Sequence, residues 1–415
     1  MIEQRLARRM KSMRRSVIRE LLKLVNRPEI ISFGGGMPDP TLFPVNTVRI
    51  AAEKVLEKYG KKVLQYSPTE GHEGLRQEIA NWLKKREGVE LTPEEILPTN
   101  ASQQGLDLLA KIFLDPGDII LLSAPTYLGA LSAFRQYEAN LVSIPLDDNG
   151  MQVDLLEEKI KQLDKKGKLN RVKFIYLVPD FQNPSGVTLT LERRKRIIEL
   201  ACEYDLLIVE DTPYRDLRYS GEPVPCFMKL APKGRVISLF TFSKILFPGL
   251  RVGYVVASPD IIDKFVVAKQ ATDLCSPAFN QAIVCEIMRM NVLSEHIKRL
   301  IIRYRDKRDA MLAALNRHMP AEDVSWTKPE GGLFLWVRVP EYLDTTEMFN
   351  KALENNVAYI IGSAFYPDDS GKNTMRLNFS YPTLKLIEEG IRRLAQVVKD
   401  EIAAHSRRKG AKCAV

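Results

Sequence analysis

From about residue 47 the chain alternates two kinds of segment, and that alternation most constrains its fold. Helical patterns at 47–59, 71–87, 103–113, 127–137, 153–167 and 190–204 are interleaved with short apolar runs: ILPTN, DIILLSAP, NLVSIPL, VKFIYLVPD, LLIVEDTPY, VISLFTF and VGYVVAS. Strands separated by helices of this length return as parallel crossovers, so the pattern predicts an α/β fold, a three-layer α/β/α unit on a mostly parallel sheet. Most of the runs are apolar at every position, as strands covered on both faces must be. Ligands of such sheets sit beyond the carboxyl ends of the strands. The residues just after each run are therefore where chemistry should be sought.

At 415 residues the chain exceeds what one core normally holds. Beyond residue 293 the pattern changes. A long helical segment, SEHIKRLIIRYRDKRDAMLAALNRHM, precedes KPEGGLFLWVRVP, a helix, VAYIIGSAF, TMRLNFS and a final helix over about 383–404. This predicts a smaller α+β domain. At the other end, residues 2–26 read as an amphipathic helix with Leu6, Ile18, Leu21, Leu22 and Val25 on its apolar side. SFGGGMPDPTLFP (32–44) is too rich in Gly and Pro for a helix and allows close backbone approach. The expected division is a basic arm at 1–15, a small domain from 16–46 and 293–415, and a large domain at 47–292.

The formal net charge of +9 invites a nucleic-acid partner. Its placement argues against one. Residues 1–15 hold six basic residues and one acid, and residues 405–415 hold four basic residues and none. The two tails thus carry the whole excess, and solvated ends are the simplest reading of them. Five cysteines and four histidines are dispersed, with no metal-ligand spacing. No run is long and apolar enough for a membrane span, and the basic N-terminus lacks the apolar stretch of a secretory signal. A cytoplasmic protein with no metal, nucleic-acid or membrane partner is expected.

The strand ends carry a coherent set of groups. LVPDFQNPSG places Asn183 in a turn. LLIVEDTPY ends in Glu210 and Asp211, and a carboxylate there, if buried, needs a cation or a protonated ring nitrogen. VISLFTFSK delivers Thr241, Ser243 and Lys244, with Arg251 seven residues later, and NASQQGLDL enters a helix through Ser102 and Gln103. Hydroxyls, a guanidinium and a helix N-terminus suit a phosphate. A desolvated lysine between cations is a good Schiff-base nucleophile. Together they suit a phosphorylated aldehyde bearing a ring nitrogen.

On these residues the sequence resembles the fold-type I, pyridoxal-phosphate-dependent aminotransferases of class I/II, and more narrowly the 2-aminoadipate/aromatic branch. The motifs are SFGGGMPDPTLFP, LQYSPTEGHEGLRQ, NASQQGLDL, APTYLGA, PDFQNPSG, VEDTPY, FSKILFPGLRVGY, KPEGGLFLW and TMRLNFS, spread from about residue 12 to 400. The resemblance implies pyridoxal 5'-phosphate as cofactor. Lys244 would bind it covalently and shuttle a proton. Asp211 would pair with its ring nitrogen, Tyr214 and Asn183 with its phenolic oxygen, and Tyr127 would stack on the ring. Ser102, Gln103, Ser243 and Arg251 would hold the phosphate, joined by Tyr66 from a neighbouring subunit, which implies a homodimer with shared sites. Arg376 would clamp the substrate α-carboxylate, and Gly36 would let the backbone approach the bound amino acid. Two departures from the family pattern, Thr212 after Asp211 and NAS before Gln103, do not touch this chemistry.

The implied reaction moves an amino group from an L-amino acid to a 2-oxo acid, 2-oxoglutarate, in two half-reactions. Arg14 and Arg15 could meet an acidic donor side chain, whereas Ile18, Leu21 and Leu42 suit aromatic or branched donors. Two alternatives use the same scaffold: a lyase-type reaction, and a transcription regulator with an aminotransferase-like domain. The regulator needs a helix-turn-helix domain, for which about 30 residues ahead of the glycine stretch are too few.

Overall fold

The computed structural model describes residues 2–11, 13, 27 and 29–413. Its strands are β1 (Ile31–Ser32), β2 (Ile96–Thr99), β3 (Ile119–Ala124), β4 (Asn140–Asp147), β5 (Gly150–Met151), β6 (Val172–Leu177), β7 (Leu207–Asp211), β8 (Val236–Thr241), β9 (Gly253–Val256), β10 (Ser325–Trp326), β11 (Phe334–Arg338), β12 (Val357–Ala358), β13 (Ile360–Ile361) and β14 (Thr374–Asn378). The helices are α1 (Val45–Tyr59), α2 (Glu73–Glu87), α3 (Ala101–Phe113), α4 (Leu128–Arg135), α5 (Val153–Lys165), α6 (Leu191–Glu203), α7 (Phe227–Leu230), α8 (Pro259–Asp273), α9 (Ala278–Arg289), α10 (Leu293–His318), α11 (Thr345–Glu354) and α12 (Leu384–Cys413).

All seven predicted apolar runs form strands of one eight-stranded sheet, ordered β2-β9-β8-β7-β6-β3-β4-β5. The pairs from β8 through β7, β6 and β3 to β4 are parallel, while β9 runs antiparallel to both β8 and β2. The strands are covered on both faces. Ile120 and Leu122 pack with Leu109 of α3, Phe134 of α4 and Phe265 of α8. Leu121, between them, packs the other way against Leu156 and Ile160 of α5 and Ile197 and Leu200 of α6. Each such side chain contributes about 1.5–3 kcal/mol by leaving water, which is why these runs carry no polar alternation.

The second sheet has the order β10-β11-β14-β13 and is antiparallel throughout. Separately, β1 pairs in parallel with β12, so the segment entering the glycine stretch is anchored to the C-terminal third of the chain. The long helices α10 and α12 pack side by side.

Two local expectations change. The described part of the expected helix at 2–26 forms 3-10 turns at Glu3–Arg5 and Arg8–Lys11. Among the described residues Leu6 and Met10 are exposed, so these turns bury no apolar stripe, and Arg8 is held by an ion pair to Glu138. Arg14, Arg15, Ile18, Leu21, Leu22 and Val25 lie outside the described residues. The final helix runs past its expected end at 404 to Cys413. His405 stacks on Tyr342 at 3.9 Å and so ties the first part of the basic tail to the fold.

Candidate active site

Parallel pairing brings the carboxyl ends of β3, β6, β7 and β8 to one edge of the large sheet. Because β9 is antiparallel, its amino end, just after Arg251, lies at that same edge. The turn from β8 to β9 does the rest. Pro248 opens a 3-10 turn, and Arg251 closes it in the left-handed region at φ 52°. Ala101, which opens α3, is also left-handed at φ 58°. Such backbone costs about 1–3 kcal/mol per residue and tends to collect at functional sites. Gly253 explains how the two segments meet. A Cβ there would lie 2.8 Å from the Ala101 carbonyl carbon and 2.6 Å from the Phe240 oxygen. Only glycine lets the start of α3 sit directly on the sheet, with Ser102 and Gln103 next to Ser243 and Arg251.

The result is a cavity of about 320 Å³ lined by Gly36, Met37, Pro38, Ala101, Ser102, Gln103, Tyr127, Val178, Asn183, Asp211, Pro213, Tyr214, Thr241, Ser243, Lys244, Pro248, Arg251, Phe334 and Arg376. Eleven of the twelve residues to which the family resemblance gives a role line it. The twelfth, Tyr66, does not. It is 79% exposed beyond the turn Gly60–Leu64, on the outside of its own chain.

Lys244 donates from Nζ to the Gly36 carbonyl oxygen at 2.8 Å. Burial, then the Arg376 and Arg251 cations, push its pKa down to about 8. Arg376, on β14, donates from Nη1 to Asn183 Oδ1 and from Nη2 to the Gly34 oxygen, both at 2.8 Å. Its guanidinium lies 4.3 Å from the Phe334 ring centre, a cation–π contact. Burial lowers its pKa to about 10, so it remains a cation at neutral pH. Asn183 in turn donates to the Tyr214 oxygen at 3.4 Å, and Tyr214 packs edge-on against Phe334. Burial first, then the Asp211 charge, raise Tyr127 to about 12.

The two carboxylates of β7 separate, as alternation along a strand requires. Glu210 faces away from the cavity. It accepts from the backbone N–H groups of Phe227 and Met228 at 2.9 and 3.0 Å and from the Ser238 hydroxyl at 2.7 Å. Backbone N–H donors and a hydroxyl meet its need, where a cation or ring nitrogen had been expected. Asp211 faces the cavity, and burial pushes its pKa up to about 7 against the opposing hydrogen bond from Tyr176. Two polar atoms here are buried without a protein partner, Asp211 Oδ1 and Arg376 Nε. Buried polar groups are nearly always satisfied, so the cavity calls for a ligand with a donor for the first and an acceptor for the second.

Sequence reasoning missed Phe334, Met37 and Tyr176. Phe334 and Met37 lie within quoted motifs without a polar group to mark them, and Tyr176 sits mid-strand, where nothing but its contact with Asp211 reveals it.

A desolvated amine, a buried carboxylate and a buried arginine with an unpartnered N–H, gathered in one cavity at the carboxyl edge of an α/β sheet, are the makings of lysine–carbonyl chemistry. The family model of aminotransferase class I and II matches residues 29–394, and the chain belongs to that family, as a pyridoxal-phosphate-dependent aminotransferase of fold type I. It is 50% identical over 390 residues to aromatic-amino-acid aminotransferase 1 of Thermococcus litoralis, covering 94% of this chain and 93% of that one. The structure of a multiple substrate aminotransferase from Thermococcus profundus superposes with a TM-score of 0.93 at 49% identity, over 97% and 99% of the two chains. An alpha-aminoadipate aminotransferase from Thermus thermophilus, solved with N-(5'-phosphopyridoxyl)-L-leucine, gives 0.88 at 40% identity, over 97% and 100%. No helix among the described residues is long and apolar enough to cross a membrane, and those residues hold no metal-like cluster of His, Cys, Asp and Glu.

Proposed function

We propose that this chain transfers the amino group of L-amino acids, with aromatic, branched-chain and 2-aminoadipate donors all accepted, to 2-oxoglutarate by a ping-pong route. The observation that carries the reading is the meeting of Lys244, Asp211 and Arg376 in one buried cavity. The residues present fit pyridoxal 5'-phosphate. A protonated ring nitrogen supplies the donor that Asp211 Oδ1 lacks, and a substrate carboxylate supplies the acceptor that Arg376 Nε lacks. Ser102, Gln103, Ser243 and Arg251 would hold the phosphate, Asn183 and Tyr214 the phenolic oxygen, and Tyr127 the ring face. When bound, the group supplies an aldehyde for the amino nitrogen and an electron sink for the carbanion.

The chain's own residues do the rest. Arg376 fixes the donor's α-carboxylate, with its fork held in place by Asn183 and the Gly34 carbonyl. Lys244, with its pKa near 8, has a neutral fraction at physiological pH that would take the proton from the donor's α-carbon and deliver it to the carbon of the former aldehyde. Asp211 stays ionised against its partner's positive charge. Gly36, whose carbonyl accepts from Lys244, lines the cavity with Met37 and Pro38 and, with Phe334 and Val178, forms an apolar surround that supports aromatic and aliphatic donor side chains. The glycine stretch itself is pinned. Lys307 donates to Asp39 Oδ2 and to the Ser380 oxygen, and the Ser380 hydroxyl donates to the Met37 oxygen. Exposed Tyr66 reaches the phosphate of a second copy, so the working unit is a homodimer in the cytoplasm. The division into a large domain at 47–292 and a small one from 16–46 and 293–415 belongs to the same reading.

The test is a donor panel of 2-aminoadipate, phenylalanine, tyrosine, kynurenine, leucine, valine and aspartate, with glutamate formed from 2-oxoglutarate as the signal. Several donors should react, with parallel double-reciprocal lines. Strict preference for aspartate, or intersecting lines, contradicts the proposal.

A further inference from the structure

Resting on the site reading above, we infer that Tyr176 is a positioning residue that acts through Asp211, fixing its carboxylate and holding it as the anion so that the shared proton stays on the ring nitrogen of the bound cofactor. Tyr176 lies on β6 beside β7, in register with Val209. Its hydroxyl donates to Asp211 Oδ2 at 2.9 Å, and both side chains are buried, at 0% and 1% exposure. The contact is specific in three ways. It is the one hydrogen bond that the described residues make to the Asp211 side chain. It occupies one oxygen and leaves Oδ1, without a partner, to the cavity. And the Tyr176 ring cannot swing away freely, because the Phe134 ring packs edge-on against it at 5.4 Å.

The physical consequence follows from what a single donor does to a buried carboxylate. Burial in apolar surroundings favours the neutral acid, whereas a hydrogen bond to the charged form favours the anion. A neutral Asp211 would present a donor or a weak acceptor to a ring nitrogen. An anionic Asp211 keeps that nitrogen protonated, which is the state in which the ring withdraws electrons. Tyr176 supplies the protein's own contribution to that balance. Tyr127 also stands near Asp211, but its hydroxyl, raised first by burial and then by the carboxylate's charge, turns to Gln103 Oε1 and makes no hydrogen bond to Asp211.

The test uses Tyr176→Phe, which keeps the ring packing and removes only the hydroxyl. Wild type and variant holoenzyme are loaded with pyridoxal phosphate isotopically labelled at the ring nitrogen, and the nitrogen's NMR shift is read. Wild type should show the protonated nitrogen, and the variant a shift toward the deprotonated position. Identical shifts overturn the inference. A second measurement strips the cofactor and titrates it back alongside its deaza analogue, in which a C–H replaces the ring nitrogen. Loss of a hydrogen bond to a charged group should weaken pyridoxal phosphate by about tenfold and leave the analogue unchanged. Equal losses for both show a packing role only and overturn the inference. If wild type takes up no pyridoxal phosphate, the site reading itself falls. Uptake with an unmoved nitrogen signal removes only the role of Tyr176.

Discussion

Replacing Arg376 by lysine keeps a positive charge in the cavity and removes the fork. The native guanidinium spends one N–H on Asn183 Oδ1 and one on the Gly34 oxygen, each at 2.8 Å, and leaves Nε buried without a protein partner, the donor proposed for a substrate oxygen. A lysine ammonium cannot span the two anchors and still present a donor in the substrate's plane. At least one charged hydrogen bond, worth about 1.5–3 kcal/mol, is lost. A second is weakened as Asn183, which also holds Tyr214, loses its restraint. A total near 3 kcal/mol corresponds to roughly a 100-fold fall in kcat/KM. The assay is the donor half-reaction alone, followed by single-turnover absorbance, so that the acceptor's own carboxylates do not enter. Phenylalanine should lose about 100-fold, whereas 2-phenylethylamine, the same donor without its carboxylate, should change little. Equal losses for both would refute the clamp and make Arg376 a packing element.

Three further outcomes follow from the same geometry. The Lys244 amine ionises near pH 8 in the folded chain against 10.5 when unfolded. Its charge therefore destabilises the cofactor-free protein below pH 8, by about 3 kcal/mol, and this penalty disappears as pH rises from 8 to 10.5. Lys244→Met should raise the thermal midpoint at pH 7, by a net of about 2 kcal/mol after losing the bond to Gly36, with the gain gone at pH 10.5; a midpoint unchanged or lowered at pH 7 contradicts the desolvation. Lys307→Met removes one half of a buried ion pair and leaves the Asp39 charge without its cation, held only by the Thr41 N–H and hydroxyl, which should cost about 3 kcal/mol in denaturant melts; a loss under 1 kcal/mol would show the pin to be idle. Tyr66→Ala and Lys244→Ala chains, each poorly active alone, should regain about a quarter of wild-type activity when refolded together, because a two-fold dimer then rebuilds one intact site in each mixed pair; no recovery contradicts a shared site.

Much of this was legible because burial leaves marks in the sequence. The seven apolar runs became strands since both faces of the sheet are covered, and the polar groups at their ends stand out for the same reason. The direction of β9 was not legible, because a buried strand reads the same parallel or antiparallel. Yet that direction puts Arg251 at the site. The helices α8 and α9 leave no clear period for opposite reasons. In α8 a lysine, Lys269, is itself buried, paired with Asp273 at 2.6 Å and Gln104 at 3.2 Å, and interrupts the apolar stripe. In α9 the run from Gln281 to Cys285 is buried without a break, which erases the alternation that marks a helix. Glu210 and Asp211 were indistinguishable from composition. Only the strand's alternation and the donors waiting on each side decide which one faces the cavity.

The central claim is that Lys244 is the amine that carries pyridoxal phosphate. Protein reconstituted with the cofactor, reduced with borohydride, digested and mapped by mass spectrometry tests it directly. One phosphopyridoxyl adduct is expected, on the peptide containing Lys244, and it should be lost when an amino donor is added before reduction. An adduct on a different lysine, or none on Lys244 in protein that transaminates, would contradict it.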